Sequence, residues 1–195
     1  HRAQDGTLWV PDAGLLTNVI TGGRFDGVRF YLPGELTWAI DSLTVQNSSI
    51  TFADSGARIL VTNAVVIDGG VLGIGDDASG TGYVLRCSSM SVTNGGSLYA
   101  YAGPTNSASP GYGALVEVGG ALDIANDSWV CPVAENTNGA TVLFRLGSLS
   151  TGTNAGFTAS SRGYLGRYGP GKGGNGNAGS GGGGYIKLYV SGVGE

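Results

Sequence analysis

One unit recurs along this chain: a short strand, a corner of Asn, Asp, Gly, Ser or Thr, and a second short strand. Leu43-Thr44-Val45 leads through Asn47-Ser48-Ser49 to Ile50-Thr51-Phe52, and Ala64-Val65-Val66 leads through Asp68-Gly69-Gly70 to Val71-Leu72. Met90-Ser91-Val92 leads through Asn94-Gly95-Gly96 to Ser97-Leu98, and Leu122-Asp123-Ile124 leads through Asn126-Asp127-Ser128 to Trp129-Val130. Leu149-Ser150-Thr151, Gly152-Thr153-Asn154 and Phe157 form a further copy, and Val19-Ile20, Thr21-Gly22-Gly23 and Phe25 an earlier one. A unit of this size cannot bury its apolar face alone, so recurrence predicts that copies stack on one another.

The anchors Ile20, Val45, Val66, Val92, Ile124 and Thr151 lie 25, 21, 26, 32 and 27 residues apart. That spacing is too uneven for a strict consensus repeat but suits turns of a coil whose corners differ in length. A further strand precedes most copies: Ile59-Leu60-Val61, Val84-Leu85, Leu115-Val116 and Val142-Leu143-Phe144, with a last one at Tyr185 to Val190. Three strands per turn predict an all-β chain folded as a single parallel β-helix, or solenoid, of about six irregular rungs. Alternation within each strand sends Leu43 and Val45 inward and Thr44 outward. Asn, Asp and Gly suit corners because they tolerate left-handed backbone. A β-sandwich also supplies short strands and frequent turns, but it does not require one strand-corner-strand unit to recur.

We expect one domain over residues 1–195, with an N-terminal segment at 1–18 that caps or exchanges, a Gly-rich insertion at 159–184 and a last strand at 185–190. The start at His1 reads as a processed form or a piece of a longer chain. Glycine supplies 38 residues, many of them in that insertion. Longer segments at Asp76–Gly82, Gly103–Gly113 and Glu135–Ala140 likewise follow a second strand, so all four should project from one side. Tyr164, Tyr168 and Tyr185 are suited to anchor the glycine run, either onto its own domain or against a neighbour. Charged residues make up 12% of the chain, against about 25% in an average domain, and the net charge is −4. With no basic stripe, nucleic acid is not an expected partner. No apolar run reaches the length of a membrane-spanning helix. Cys87 and Cys131 suit either a disulfide or two small buried thiols; two rungs apart on one face, they would lie too far apart to bridge.

Catalytic chemistry finds little material. A single histidine, His1, excludes histidine-dependent triads and the usual zinc clusters. Parallel β-helices resemble, as a class, pectin-degrading enzymes and polysaccharide lyases. Of the polygalacturonase-type motifs only the Asp76-Asp77 pair is matched, and it reads as a solvated turn. Arg58 and Arg86 gather no acidic calcium ligands of the pectate-lyase kind. Gly69 to Asp77 faintly resembles one copy of a calcium-binding nonapeptide roll but lacks the tandem repeats, and Gly171-Lys172-Gly173-Gly174 lacks phosphate-loop spacing. Asn47-Ser48-Ser49 and Asn126-Asp127-Ser128 fit the glycosylation sequon but fall on corners. We therefore expect no catalytic residues, no cofactor and no metal.

Aromatic side chains remain. Tyr99, Tyr101 and Tyr112 flank the second long segment, Trp129 opens a strand and Trp9 sits in the N-terminal segment; exposed rings in a row would stack on sugars. The repeated unit, ending in a Gly-rich loop before Tyr185-Ile186-Lys187-Leu188, resembles extracellular bacterial β-helix repeat proteins as a class, from Val19 to Val190. That resemblance implies an extracellular or cell-surface location and carries over no functional residue. The expectation is a non-enzymatic structural or adhesive protein, a homo-oligomer or filament joined through its end strands. A carbohydrate-binding module, with a polysaccharide partner, is the alternative, and a polysaccharide lyase or hydrolase comes third.

Overall fold

A computed structural model describes residues 6–32, 37–54, 56–75, 82–104, 112–135, 140–160 and 187–190. In chain order the strands are β1 (Gly6–Trp9), β2 (Val19–Thr21), β3 (Val28–Tyr31), β4 (Thr37–Ile40), β5 (Leu43–Gln46), β6 (Ser49–Phe52), β7 (Arg58–Val61), β8 (Ala64–Asp68) and β9 (Val71–Ile74). They continue as β10 (Tyr83–Cys87), β11 (Ser89–Thr93), β12 (Ser97–Tyr101), β13 (Ala114–Ile124), β14 (Trp129–Val133), β15 (Val142–Thr151), β16 (Gly156–Phe157) and β17 (Lys187–Val190). Among the described residues the sole helical element is a 3-10 turn at Ala13–Leu15. There the Asp12 carboxylate accepts a hydrogen bond from the Gly14 N–H at 2.8 Å.

Every strand pairing among the described residues is parallel, and the partner is almost always a strand from the preceding or following triplet. One sheet runs β1-β3-β6-β9-β12-β14-β16 and the other β2-β5-β8-β11-β13-β10-β7-β4, with β15 and β17 continuing beyond β13. The second sheet contains both of the remaining strands of each triplet because β13 joins them. Its first half pairs with β10 and its second half with β11, with an irregularity between Val118 and Ala121. β15 repeats that bend one layer on. A Cβ on Gly147 would lie 2.5 Å from the Gly119 carbonyl oxygen, so only glycine lets the two bent strands approach. The result is an all-β fold whose parallel sheets curl in the manner of a half-barrel.

The core lies between the sheets as columns of stacked side chains. Ile20, Val45, Ile67, Val92 and Ile124 follow one another in register, and all are essentially inaccessible to solvent. The column then closes on Thr151, a hydroxyl that tolerates its exposure. Towards the N-terminal end the filling is aromatic: Phe30 packs 5.5 Å from Phe52, and Trp38 lies 5.2 Å from Phe52. Towards the other end Phe144 meets Phe157 edge-on at 5.1 Å.

Corners are set by left-handed backbone. Among the described residues the non-glycine ones with positive φ are Asn47, Asn94, Asp127 and Asn154, all corner residues of the repeated unit. Only Asn and Asp among side-chain-bearing residues visit that region readily. In the β8–β9 corner the left-handed place falls to Gly69 (φ 61°). This shifts one anchor from its expected position: Ile67, not Val66, stacks on Val45 and Val92, because Gln46 pairs with Asp68. The earliest unit differs too. Phe25 lies outside a strand and packs edge-on against Phe30 at 5.3 Å, while β3 begins at Val28. The four longer segments follow β9, β12, β14 and β16, all strands of the seven-stranded sheet. Most of their residues, including the Gly-rich run, lie outside the described residues.

The register makes a direct test possible. Ile67→Ala, at a fully buried site, should cost about 2–5 kcal/mol in denaturant unfolding. Val66→Ala, on the outward face, should cost about 1 kcal/mol or less.

Candidate functional site

The outward face of the seven-stranded sheet collects the aromatics that the sequence singled out. In β12, Leu98 and Ala100 point into the core, so Ser97, Tyr99 and Tyr101 point out. Register sets Ser97 beside Trp129, Tyr99 beside Cys131 and Tyr101 beside Val133. Thr158 is held alongside by its N–H, which donates to the Val130 carbonyl at 2.9 Å. Ser97, Tyr99, Trp129, Cys131 and Thr158 line an open depression of about 160 Å³. The Tyr99 and Tyr101 rings stack with centroids 6.3 Å apart and planes 23° from parallel. On its other side Tyr99 neighbours Gly73, which has no side chain to compete for the surface. Tyr99 and Trp129 are both half-buried and neither belongs to the core cluster.

The remaining predicted residues lie elsewhere. Trp9 is on β1, 64% exposed, with its ring stacked on Tyr31 at 5.5 Å. Tyr112 is half-buried just before β13, outside the depression. Tyr164, Tyr168, Tyr185, His1 and the Asp76-Asp77 pair fall outside the described residues. Sequence reading missed Ser97, Cys131 and Thr158, which carry no signal until stacking brings three strands side by side.

Charged groups are few, at 12% of the chain. Arg86 in β10 pairs with Glu117 at 2.6 Å, and Arg145 is the next residue of that column. Among the described residues no three of His, Cys, Asp and Glu gather as a metal site would require. Cys87 and Cys131 form no disulfide. Cys87 faces the core from one sheet, whereas Cys131 lies on the outer side of the other. Burial pushes the Cys87 thiol up to about 12. Both thiols should therefore react with a thiol-specific reagent only on unfolding; rapid labelling of the native chain would contradict their burial.

A polar ladder runs along the corner. Asp68 accepts hydrogen bonds from the side chains of Asn94, Gln46 (2.9 Å) and Thr93 (3.3 Å), which hold its carboxyl below the usual carboxylate range. Further on, the Asn154 amide donates to Asp127 at 2.7 Å, and the Thr153 N–H donates to Asn126 at 2.8 Å. Asp54 is shifted the other way: desolvation raises it, against the lowering effect of a hydrogen bond from the Leu32 N–H.

No family model, no curated protein and no solved structure matches the chain.

A depressed carboxyl stabilises the fold fully above its ordinary titration range, and that contribution is lost as pH falls through the lowered folded-state value. Asp68→Asn should therefore lower stability at neutral pH and flatten the acid limb of the stability profile. Denaturant midpoints measured from neutral pH downward check both.

Proposed function

We propose that this chain is an extracellular, non-enzymatic structural or adhesive protein, a parallel β-solenoid of about six irregular rungs whose copies join end to end. The strand pairing supports the solenoid reading. Each triplet (β4-β5-β6, β7-β8-β9, β10-β11-β12, then the halves of β13 with β14 and of β15 with β16) repeats the pairing of the one before.

The observation that carries the assembly is the exposure of residues that ought to be core. Leu8 continues the inward column of Phe30, Phe52 and Ile74, and Leu188 continues that of Trp38, Ile59, Leu85, Val116 and Phe144. Both are exposed, and among the described residues no further layer stacks on them. Among the described residues every exposed large apolar side chain belongs to these two ends: Leu8, Trp9, Leu15 and Val19 at one, Leu188 and Tyr189 at the other. Among the described residues β1 stands last in its sheet and β17 last beyond β15, so each offers an edge to a further strand. The N-terminal end is partly closed by Val10, Ala13 and Leu16, which are buried, and β1 pairs with β3 of its own chain. Stacking is therefore the mode proposed, rather than exchange of β1. A second copy is the occupant whose columns match, and contact between unlike ends propagates into an open filament.

Sedimentation velocity and electron microscopy of the full chain over a range of concentrations test this. Head-to-tail species that lengthen with concentration are expected; a strictly monomeric chain at high concentration overturns the reading. Leu8→Lys and Leu188→Lys should each block growth alone. Mixed, they should pair through their intact ends into dimers and go no further. Thr44→Lys, on an outward flank, should leave assembly unchanged.

A further inference from the structure

The depression on the outer face of the seven-stranded sheet has features that the end-to-end reading does not use. Its two rings are not needed for the core: Leu98, Ala100 and Val130, their inward-facing neighbours, are fully buried and belong to the core cluster, while Tyr99 and Trp129 do not. The rings come from adjacent strands at diagonal register positions, and Tyr101 extends the row by stacking on Tyr99. Two hydroxyl side chains, Ser97 and Thr158, share the same surface, and none of the five lining residues is charged.

We propose that this depression binds a neutral hexopyranose chain, with Trp129 and Tyr99 as the stacking rings. One face of a pyranose presents C–H groups that pack on an aromatic ring, while its rim presents hydroxyls that exchange hydrogen bonds with groups such as Ser97 and Thr158. The row Trp129, Tyr99, Tyr101 is longer than one ring, which favours a chain over a single sugar. The uncharged lining offers nothing to neutralise a uronate or phosphate, whose desolvation would go uncompensated. An open depression on the outer face of a sheet admits an extended chain from the side, whereas an enclosed pocket would select a free monosaccharide. The site lies on a flank of the stacking direction, and this proposal does not rest on the assembly of copies.

The test uses the full chain carrying Trp9→Ala and Leu188→Lys, so that neither the exposed ring on β1 nor end contacts contribute. Trp38 is buried in the core, and Trp129 is then the fluorophore that a ligand on this face would reach. Cellohexaose and mannohexaose are the neutral probes and hexagalacturonate the charged one. Saturable binding of a neutral hexaose that shields Trp129 from iodide quenching is expected, with at least about tenfold weaker binding for Trp129→Ala and Tyr99→Ala. Trp129→Phe, read by calorimetry, should retain most of the affinity because it keeps a ring. Ser97→Lys, which fills the depression while leaving both rings, should abolish binding and guards against an alanine variant that fails to fold. Any one of four results overturns the proposal: no saturable binding of either neutral hexaose, unchanged affinity in the folded alanine variants, tighter binding of hexagalacturonate, or shielding of Trp129 before ligand is added.

Discussion

Everything in this structure depends on in-register parallel hydrogen bonding between equivalent strands of successive triplets. Strands so paired lie roughly 4.8 Å apart, and each side chain finds its counterparts directly above and below. A residue's environment is then largely made of residues at its own position in other triplets. For Ile20, Val45, Ile67, Val92 and Ile124 this is favourable, because like apolar groups stack well. For charge it is unfavourable: two like charges at that distance repel unless solvent screens them. The low charged content, 12%, follows from this rule. Where charges do stack, signs alternate, as in Arg86, Glu117 and Arg145.

Corners solve the second problem of such a fold, which is to turn the chain sharply without leaving polar backbone bare. Asn47, Asn94, Asp127 and Asn154 accept the left-handed conformation that a turn between strands imposes. The side chains of Asn94, Asp127 and Asn154, with those of Gln46, Asp68 and Thr93, also bond from one layer to the next. One residue type thus serves the bend and the stacking together. A corner can also lengthen by one residue without disturbing its strands: Asn94-Gly95-Gly96 spans a longer turn than Gly69-Gly70, yet β12 still pairs in register with β9. The irregular spacing of anchors reflects that freedom.

Much of the strand pattern was legible because alternation and corner composition are local signals. Five of the corner-flanked pairs, from β5–β6 to β15–β16, stand where Leu43 to Phe157 placed them. The slip between Val66 and Ile67 has a definite cause: Asp68-Gly69-Gly70 looks like Asn47-Ser48-Ser49 in composition, but the left-handed residue is Gly69 rather than Asp68. Sequence alone does not say which of two adjacent turn formers takes the strained place. β4, at Thr37 to Ile40, was missed because the repeat was traced on strands flanking an Asn, Asp or Gly corner, and the turn signal ahead of it, Pro33-Gly34, is of another kind. In the depression, Tyr99 and Trp129 were visible as rings on strands. Ser97, Cys131 and Thr158 were not, since unremarkable residues become neighbours only through the register of β12, β14 and the chain after β16.

The geometry also ties the two proposed roles together. Growth along the stacking direction consumes only the end edges and leaves the outer faces of both sheets open. A depression on such a face would recur once per copy, at fixed spacing, along any end-to-end assembly. A shallow, open site of this kind binds weakly by itself, since it desolvates little of its ligand. Repeated along a filament that faces a polymeric glycan, weak sites gain effective concentration, and avidity can exceed single-site affinity by about 10²–10⁴. The order of selection then reverses from that of an enzyme, where one precise cleft is perfected. In the proposed assembly regular stacking would supply the binding strength, and the site itself would need only to be uncharged, aromatic and repeated.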